Sequence, residues 1–443
     1  MDFLSGEIRE KCTPDSIIKT LKRPVVIVLI IGLLIRFILA PLLTHTYDIA
    51  HWAMVMDHIQ AGFGLYSVPG YYYSPVWGYM LGTFSFISNF MFHMGPPAVF
   101  QSAFLPTQEL WWPWFTSEIT TISFNIFMKI PMILCDVLVG ALIYYLIKER
   151  TNDEKKAAYG FALWFLCPIV IYTSSVQVMF DNFSILFMLL SVLLFYKRRY
   201  FAGGVMLSLA AFTKFFPAYI VFAIIAYVWI TNKDDKAERT KALLYGAAGL
   251  AVMTLILNAP MIAEGSVMQS LEFISSRAES GYSMVLIMQP IIFALVAYWA
   301  YRLTKTDPKD ADENYFFCLL LTTAAIFLWQ PAAQYIMIII PLLAYHIAVN
   351  DKRYLWPWLV LTASALIYSF VTTNFSGFSA LASYTNIIDQ GWVMGMMQWI
   401  QQPILGESLI FHFCYISSWV EWGGILLIIG IWFWDKCRGR SPI

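Results

Sequence analysis

A carboxylate and two histidines follow the first strongly apolar stretch of the chain, in the segment from Thr44 to Gly78. Asp48, His51 and His58 are separated by three and seven residues, so on a helix they share one face. A carboxylate close to a membrane interface can be desolvated and tuned to act as a general base. A loop that merely joins two membrane helices does not need a carboxylate and two histidines on one face. We therefore predict that this segment borders an active site in which Asp48 is the general base.

Three other acidic residues have different predicted roles. Asp57 lies nine residues after Asp48 and is the weaker candidate, since a role on the helix surface suits it at least as well. Asp136 lies seven residues after Lys129 on the same helical face, which favours a structural network with a neighbouring helix. Asp181, in QVMFDNFS, suits either an N-cap of the next helix or substrate binding.

The composition predicts a multi-pass membrane protein. Of 443 residues, 59% are hydrophobic and only 13% are charged, against roughly half and about a quarter in soluble proteins. The six cysteines form no CxxC pair and show no metal-type spacing with histidine, so neither a disulfide framework nor a zinc site is indicated. We expect no cofactor and no nucleic-acid partner, and the use of a divalent metal stays open.

The distribution of cations predicts the topology. Of 28 Lys and Arg residues, 24 fall in seven clusters, which the positive-inside rule places in the cytoplasm. This arrangement requires about twelve spans with both termini inside, in an all-α bundle that forms one domain over residues 1–443. Residues 45–125 form an outer loop with juxtamembrane helices, and residues 372–419 form a second long outer loop. The first apolar run, Val25 to Leu43, is read as a retained helix.

Two segments do not fit a simple span. Tyr73 to His93 would break the alternation if it crossed alone, so we expect a helix at the outer interface, although a true hairpin completed by Ala98 to Phe115 is the alternative. Tyr200 to Ile230 has cations at both ends and is too short for two full spans, which need roughly 40 residues. We therefore predict a short or re-entrant hairpin that bends near Lys214 and Pro217.

Four cations lie outside the clusters: Arg36, Lys129, Lys214 and Arg277. Such cations suit a site that holds a phosphate at the outer leaflet. The alternative is a snorkelling side chain or an intramembrane ion pair. For Arg36 and Lys129 this alternative explains the residue as well as phosphate binding does. For Lys214 and Arg277 phosphate binding is the better explanation.

The stretch from Gly32 to Pro75 resembles the start of the GT-C glycosyltransferases, membrane enzymes that use a polyprenyl-phosphate-linked sugar. The matching positions are Arg36, Asp48, Trp52, Gly62, Tyr66 and Tyr73 to Pro75. KIPMILCDVL from Lys129, QVMFDNFS and TKFFP from Thr213 are similar to later segments of this superfamily. WQPAAQYIMIIIPL from Trp329 resembles a helix of glycosylphosphatidylinositol mannosyltransferase I, and the chain as a whole resembles that enzyme and the bacterial and archaeal polyprenyl-phosphate-mannose transferases.

The resemblance implies transfer of a hexose, preferably mannose, from a polyprenyl or dolichyl phosphate to a lipid-linked glycan, glycolipid or protein, with inversion. Asp48 would act as base, and Lys214 and Arg277 would hold the donor phosphate. Further candidates for substrate binding are His51, Asp57, Tyr73, Asp181, Gln330 and Gln334. Ser74-Pro75 stands where the superfamily usually has two prolines, which leaves the acceptor and any metal open.

Two other functions compete with this one. A transporter or flippase of lipid-linked sugars would also have about twelve spans with intramembrane charges, but it would gather them at the midplane of broken helices in paired halves. A noncatalytic subunit of a glycosylation complex would keep the fold without needing Asp48 for chemistry. Short loops and the absence of a retrieval tail favour the cell membrane of a prokaryote over the endoplasmic reticulum.

Overall fold

The structure is a computed structural model that describes residues 23–67, 71, 73–92, 99–101, 119–268, 283–329, 333–373, 375–439 and 443. These residues form 17 α-helices and two short antiparallel strand pairs. The predicted all-α class is therefore confirmed.

The helices α1 to α17 span, in order, Pro24–Leu42, Thr46–Gln60, Pro75–Phe92, Ile122–Thr151, Glu154–Phe165, Pro168–Tyr172, Asp181–Tyr196, Tyr200–Ala211, Val221–Thr231, Lys236–Ala263, Ser283–Thr304, Ala311–Ile326, Ile340–Val349, Leu355–Thr372, Gly377–Tyr384, Gln390–Ile400 and Leu409–Cys437. The strands β1 to β4 span Val99–Gln101, Ile119–Thr120, Pro403–Ile404 and Glu407–Ser408, and β1 pairs with β2 and β3 with β4.

Six segments are long and apolar enough to cross a membrane, and a seventh qualifies if the bent pair Glu154–Phe165 and Pro168–Gln177 is one span. Four shorter apolar helices accompany them among the described residues. The chain is thus a multi-pass membrane protein. The count of twelve spans, the cytoplasmic termini, the two outer loops and the interfacial position of α3 stay predictions. The last helix begins at Leu409, within the range 372–419 that we predict as the second outer loop.

Polar caps fix where several helices begin. Thr121 accepts the backbone N–H of Phe124 at the start of α4, and Asp235 accepts that of Glu238 at the start of α10. Asp153 accepts two N–H groups at the start of α5. These side chains replace the hydrogen bonds that the first turn of a helix cannot make within itself.

A buried ion pair joins the first helix to α4. Arg36 Nε donates to Asp136 Oδ2 at 2.9 Å, Nη2 lies 2.8 Å from the same oxygen as an ion-pair contact, and both side chains are fully buried. Arg36 Nη1 also donates to the backbone carbonyls of Gly32 and Phe165. The alternative of an intramembrane ion pair is thus confirmed for Arg36, and so is the structural network that we expected for Asp136.

Lys129 is buried in the same helix and closes the end of α1. Its ammonium donates to the carbonyls of Ala40 and Leu43 and to the hydroxyl of Thr44, at 2.6 to 2.7 Å. A cation at this place satisfies carbonyls that have no partner within the helix and opposes the negative end of its dipole. Lys129 therefore has a structural role, and the phosphate-binding reading does not apply to it.

Helices α7 and α8 form an antiparallel hairpin that turns at Lys197 to Arg199, where Arg198 adopts a left-handed backbone conformation with φ of 57°. The helical chain is interrupted between Ala211 and Val221, around Lys214, which confirms the predicted break in this segment. Because the arms of the hairpin have similar lengths, the start of α7 and the end of α8 lie together.

Glycines allow α8 to pack closely on α10. A Cβ atom added at Gly204 would lie 2.0 Å from the carbonyl oxygen of Gly246, and one added at Gly249 would lie 2.0 Å from that of Phe201. Small residues are the usual means by which membrane helices bring their backbones together.

We predict that Gly204→Ala destabilises the protein by about 1 to 3 kcal/mol, because the added methyl group forces the two backbones apart. Thermal unfolding in detergent measures the effect. Gly430→Ala is the matched control, since Gly430 is exposed in α17 and has open space around it. There the methyl group is expected to be neutral or to stabilise the helix by up to about 1 kcal/mol. Equal unfolding temperatures for the two variants would contradict the close packing.

Candidate functional site

Asp48 lies in the first turn of α2 and is paired with the residue that precedes the helix. His45 Nδ1 and Asp48 Oδ2 are 2.6 Å apart, and the two side chains are 12% and 16% exposed. The backbone N–H of His45 donates to the carbonyl of Val176, which fastens the start of α2 to the segment before α7. Asp48 is therefore held in a fixed orientation and stays reachable.

A second carboxylate, Asp181, lies at the first residue of α7 and faces Lys214. Lys214 Nζ is 3.6 Å from Asp181 Oδ1, and the side chains are 9% and 1% exposed. The N-cap position is occupied by Phe180, and the cap has no side-chain hydrogen bond. The N-cap alternative for Asp181 is therefore wrong. At 3.6 Å the pair is an ion pair without a close hydrogen bond.

Lys214 is held at the end of α8 by its backbone. Its N–H donates to the carbonyl of Ala210, which also accepts the hydroxyl of Ser184 from α7. The ammonium then lies over two aromatic rings, 4.4 Å from the centroid of Phe180 and 4.6 Å from that of Tyr335. Aromatic faces stabilise a desolvated cation. The charge of Lys214 is thereby stabilised in a buried place, and its contacts with described residues include no close hydrogen bond from the ammonium.

An aromatic cluster adjoins this ion pair. Trp52 of α2 contacts Tyr73, Trp77 and Phe180 at centroid distances of 5.1 to 5.9 Å, and Trp77 stacks on Phe180 at 4.7 Å. The indole N–H of Trp52 donates to the carbonyl of Val178, a residue with φ of 59°. Tyr73 thus belongs to the aromatic cluster beside the ion pair, and its role in substrate binding stays a prediction.

His51 is buried on α2 and contacts the aromatic cluster. Its ring lies 4.9 Å from Trp52 and 6.2 Å from Tyr73, and the residue is 5% exposed. Burial lowers the pKa of His51 from 6.5 to about 4, and the nearby charge of Asp48 opposes that shift in part. His51 is therefore a neutral imidazole at neutral pH.

The two carboxylates and the lysine belong to one electrostatic cluster. The charge of Asp48 acts on both Lys214 and Asp181, which come from segments far apart in the chain. We call Asp48, His51, Asp181 and Lys214 the polar cluster. It combines an accessible carboxylate with a buried cation, which can respectively accept a proton and stabilise an anion.

Other predicted site residues are placed less fully. Arg277 and Gln330 lie outside the described residues. Gln334 belongs to a 3-10 helix, Ala333–Ile338, but its side chain is not among those described. Asp57 lies on α2, where nine residues turn it about 180° from Asp48 and move it about 13 Å along the axis. The helix therefore does not bring Asp57 beside Asp48. Among the described residues, no group of three or more His, Cys, Asp or Glu side chains could hold a metal ion.

Three residues of the site were missed by reasoning from sequence. His45 precedes the predicted helix, Phe180 precedes Asp181, and Tyr335 follows Gln334 by one position. A signal existed for His45, because a residue three positions before an acid in a first turn can reach it. No signal in the sequence linked Tyr335 or Phe180 to Lys214, since that contact depends on how distant segments pack.

Residues 108–259 match the family described as dolichyl-phosphate-mannose-protein mannosyltransferase. The match supports the GT-C superfamily. It covers Lys129, Asp136, Asp181 and Lys214, whereas Asp48 lies before it. A search of curated proteins finds no match. The matched part contains Asp181 and Lys214 of the polar cluster, whereas Asp48 and His51 lie before it.

We predict that folding stability falls as the pH drops through the window set by His51. With an unfolded pKa of 6.5 and a folded pKa of about 4, the unfolded state binds the proton more readily between these values. The contribution of His51 to the free energy of unfolding is at its maximum above pH 6.5. It decreases by about 2 kcal/mol between pH 7.5 and pH 5.

His51→Gln removes this titration, so the variant is expected to lose less stability than wild type over the same interval. Thermal unfolding in detergent at pH 7.5 and pH 5 measures the difference between the two proteins. The same loss in both would show that His51 is not the group responsible.

Proposed function

We propose that the protein transfers a hexose, with mannose preferred, from polyprenyl or dolichyl phosphate to a lipid-linked glycan, glycolipid or protein. Transfer takes place on the non-cytoplasmic face and inverts the anomeric carbon. The family match supports the reaction class, and the polar cluster supports the mechanism. The observation that carries the proposal is that the charge of Asp48, which is partly exposed, acts on Lys214, which is buried and paired with Asp181.

Asp48 would accept the proton of the acceptor hydroxyl as its oxygen attacks the anomeric carbon. The bond between that carbon and the phosphate oxygen breaks at the same time, and the phosphate leaves with the bonding electrons. A single displacement of this kind inverts the configuration. His45 supports the step by fixing Asp48 Oδ2, which leaves Oδ1 to face the acceptor.

Lys214 would stabilise the negative charge that develops on the leaving phosphate. A cation in a water-poor site does this with little reorganisation, and Arg277 is proposed as a second phosphate ligand. Asp181 holds Lys214 in place and offers carboxylate oxygens to sugar hydroxyls. His51, Tyr73, Asp57, Gln330 and Gln334 are the further residues proposed to bind substrate. We place the protein in the cell membrane of a prokaryote.

Asp48→Asn is expected to lower kcat by about 100- to 10,000-fold, because the amide cannot accept the hydroxyl proton, while donor binding is kept. Transfer from radiolabelled polyprenyl-phosphate mannose and glucose to a native glycolipid and glycan extract, in proteoliposomes, measures this. Glu407→Gln is the control, since Glu407 is exposed in β4. If wild type transfers from neither donor, and wild type and variant move the lipid-linked sugar across the bilayer equally, a flippase replaces the proposal.

Lys214→Met is expected to raise KM for the donor by about 10- to 100-fold, because a charge-assisted contact worth about 1.5 to 3 kcal/mol is lost. The same variant leaves the Asp181 carboxylate buried without its cation. The double variant Lys214→Met with Asp181→Asn, which removes both charges, is therefore measured under the same conditions. Lys241→Met, at an exposed position, is the control. Unchanged donor KM in both the single and the paired variant would contradict the role of Lys214.

A further inference from the structure

We infer that helix α4 sets the distance between the two carboxylates of the polar cluster, with Lys129 and Asp136 as positioning residues. The inference rests on the proposed function. Neither residue belongs to the polar cluster. Each is fully buried, and each binds the segment that carries one of the two carboxylates.

The first contact holds the segment that leads to Asp48. Lys129 Nζ makes three hydrogen bonds, to Ala40, Leu43 and Thr44. Thr44 is followed at once by His45, whose ring is paired with Asp48. A shift of the Lys129 ammonium would therefore be passed to Asp48 over only four residues.

The second contact holds the start of α7. Asn182 Nδ2 donates to Asp136 Oδ1, and Asn182 is itself fully buried. Asp136 Oδ2 is taken by Arg36, so the carboxylate cannot turn away from Asn182. Asn182 is the neighbour of Asp181, and its position therefore decides where Asp181 meets Lys214.

Both contacts come from one face of one helix. Lys129 and Asp136 are seven residues apart, which is almost two turns, or about 10.5 Å along the axis. Pro131 lies between them within the helix, where it removes one backbone hydrogen bond. Helix α4 therefore sets the separation between the segment that carries Asp48 and the segment that carries Asp181. It does so through the contacts of Lys129 and Asp136.

The test uses mild variants that leave the Arg36–Asp136 pair intact. Asn182→Ala removes the contact to α7. Thr44→Val removes one of three acceptors of Lys129, and Thr44→Ser keeps it. Ser191→Ala is the matched control for Asn182, because it deletes another buried hydrogen bond of α7, to Gly203, far from Asp181.

We expect Asn182→Ala to lower kcat by about 10- to 100-fold, and Thr44→Val by about three- to tenfold, with donor KM within about twofold of wild type. Thr44→Ser and Ser191→Ala should retain the wild-type kcat. A merely structural role predicts instead that kcat follows the unfolding temperature, so that Asn182→Ala and Ser191→Ala fall together.

Cryo-electron microscopy of the variants bound to an antibody fragment gives a readout independent of activity. In Asn182→Ala the Asp181–Lys214 distance should exceed 4 Å while the His45–Asp48 pair is unchanged, and Thr44→Val should displace only His45 and Asp48. If neither pair moves, the inference is wrong even where transfer is observed. If wild type transfers nothing but both pairs move as expected, the proposed function fails and the positioning role of α4 stands.

Discussion

The pairing of Arg36 with Asp136 is the constraint on which the remaining packing depends. Two charges fully removed from water are costly, and their attraction offsets this cost only when the geometry is good and the other polar atoms are bonded. Here the charges are close, and all but one of the polar atoms of the two side chains are hydrogen-bonded, the exception being Arg36 Nη2. Arg36 donates from Nε to Asp136 and from Nη1 to two carbonyls, and its guanidinium lies 4.1 Å from the ring centroid of Phe165. Helices α1, α4 and α5 and the start of α7 are thereby tied to one point.

The contacts of the buried cations differ between Lys129, which has a structural role, and Lys214, which we propose to bind phosphate. Lys129 makes three hydrogen bonds no longer than 2.7 Å, which uses all three donors of its ammonium. Lys214 instead has a carboxylate at 3.6 Å and two aromatic faces. Its charge is stabilised, but none of the described residues accepts a close hydrogen bond from its ammonium. An incoming anion can therefore bind Lys214 without first breaking short hydrogen bonds, which is not true of Lys129.

Much of this organisation follows from the sequence, because cation clusters and apolar length constrain a membrane bundle strongly. The helix that carries Asp48 and His51 and the break at Lys214 follow from spacing and from the distance between cations. The Asp181–Lys214 pair could also have been predicted, because both residues are nearly the same number of positions from the turn at Lys197 to Arg199. The sequence does not show which buried cations have a structural role and which bind a ligand. Arg36 and Lys129 looked as suitable for phosphate as for structure, and only their contacts decide.

The backbone between α6 and α7 shows how the aromatic wall acquires its position. Thr173–Gln177 form a single π-helical turn, and Val178 follows in the left-handed region with φ of 59°. This conformation is unfavourable for a β-branched residue and costs on the order of 1 to 3 kcal/mol. It persists because Trp52 donates to the Val178 carbonyl and His45 donates to that of Val176. His45 precedes α2 and Trp52 lies on it, so the two donors flank Asp48 in the sequence. The contacts that hold the strained turn therefore also hold Phe180 and Asp181 against the helix that carries the proposed base.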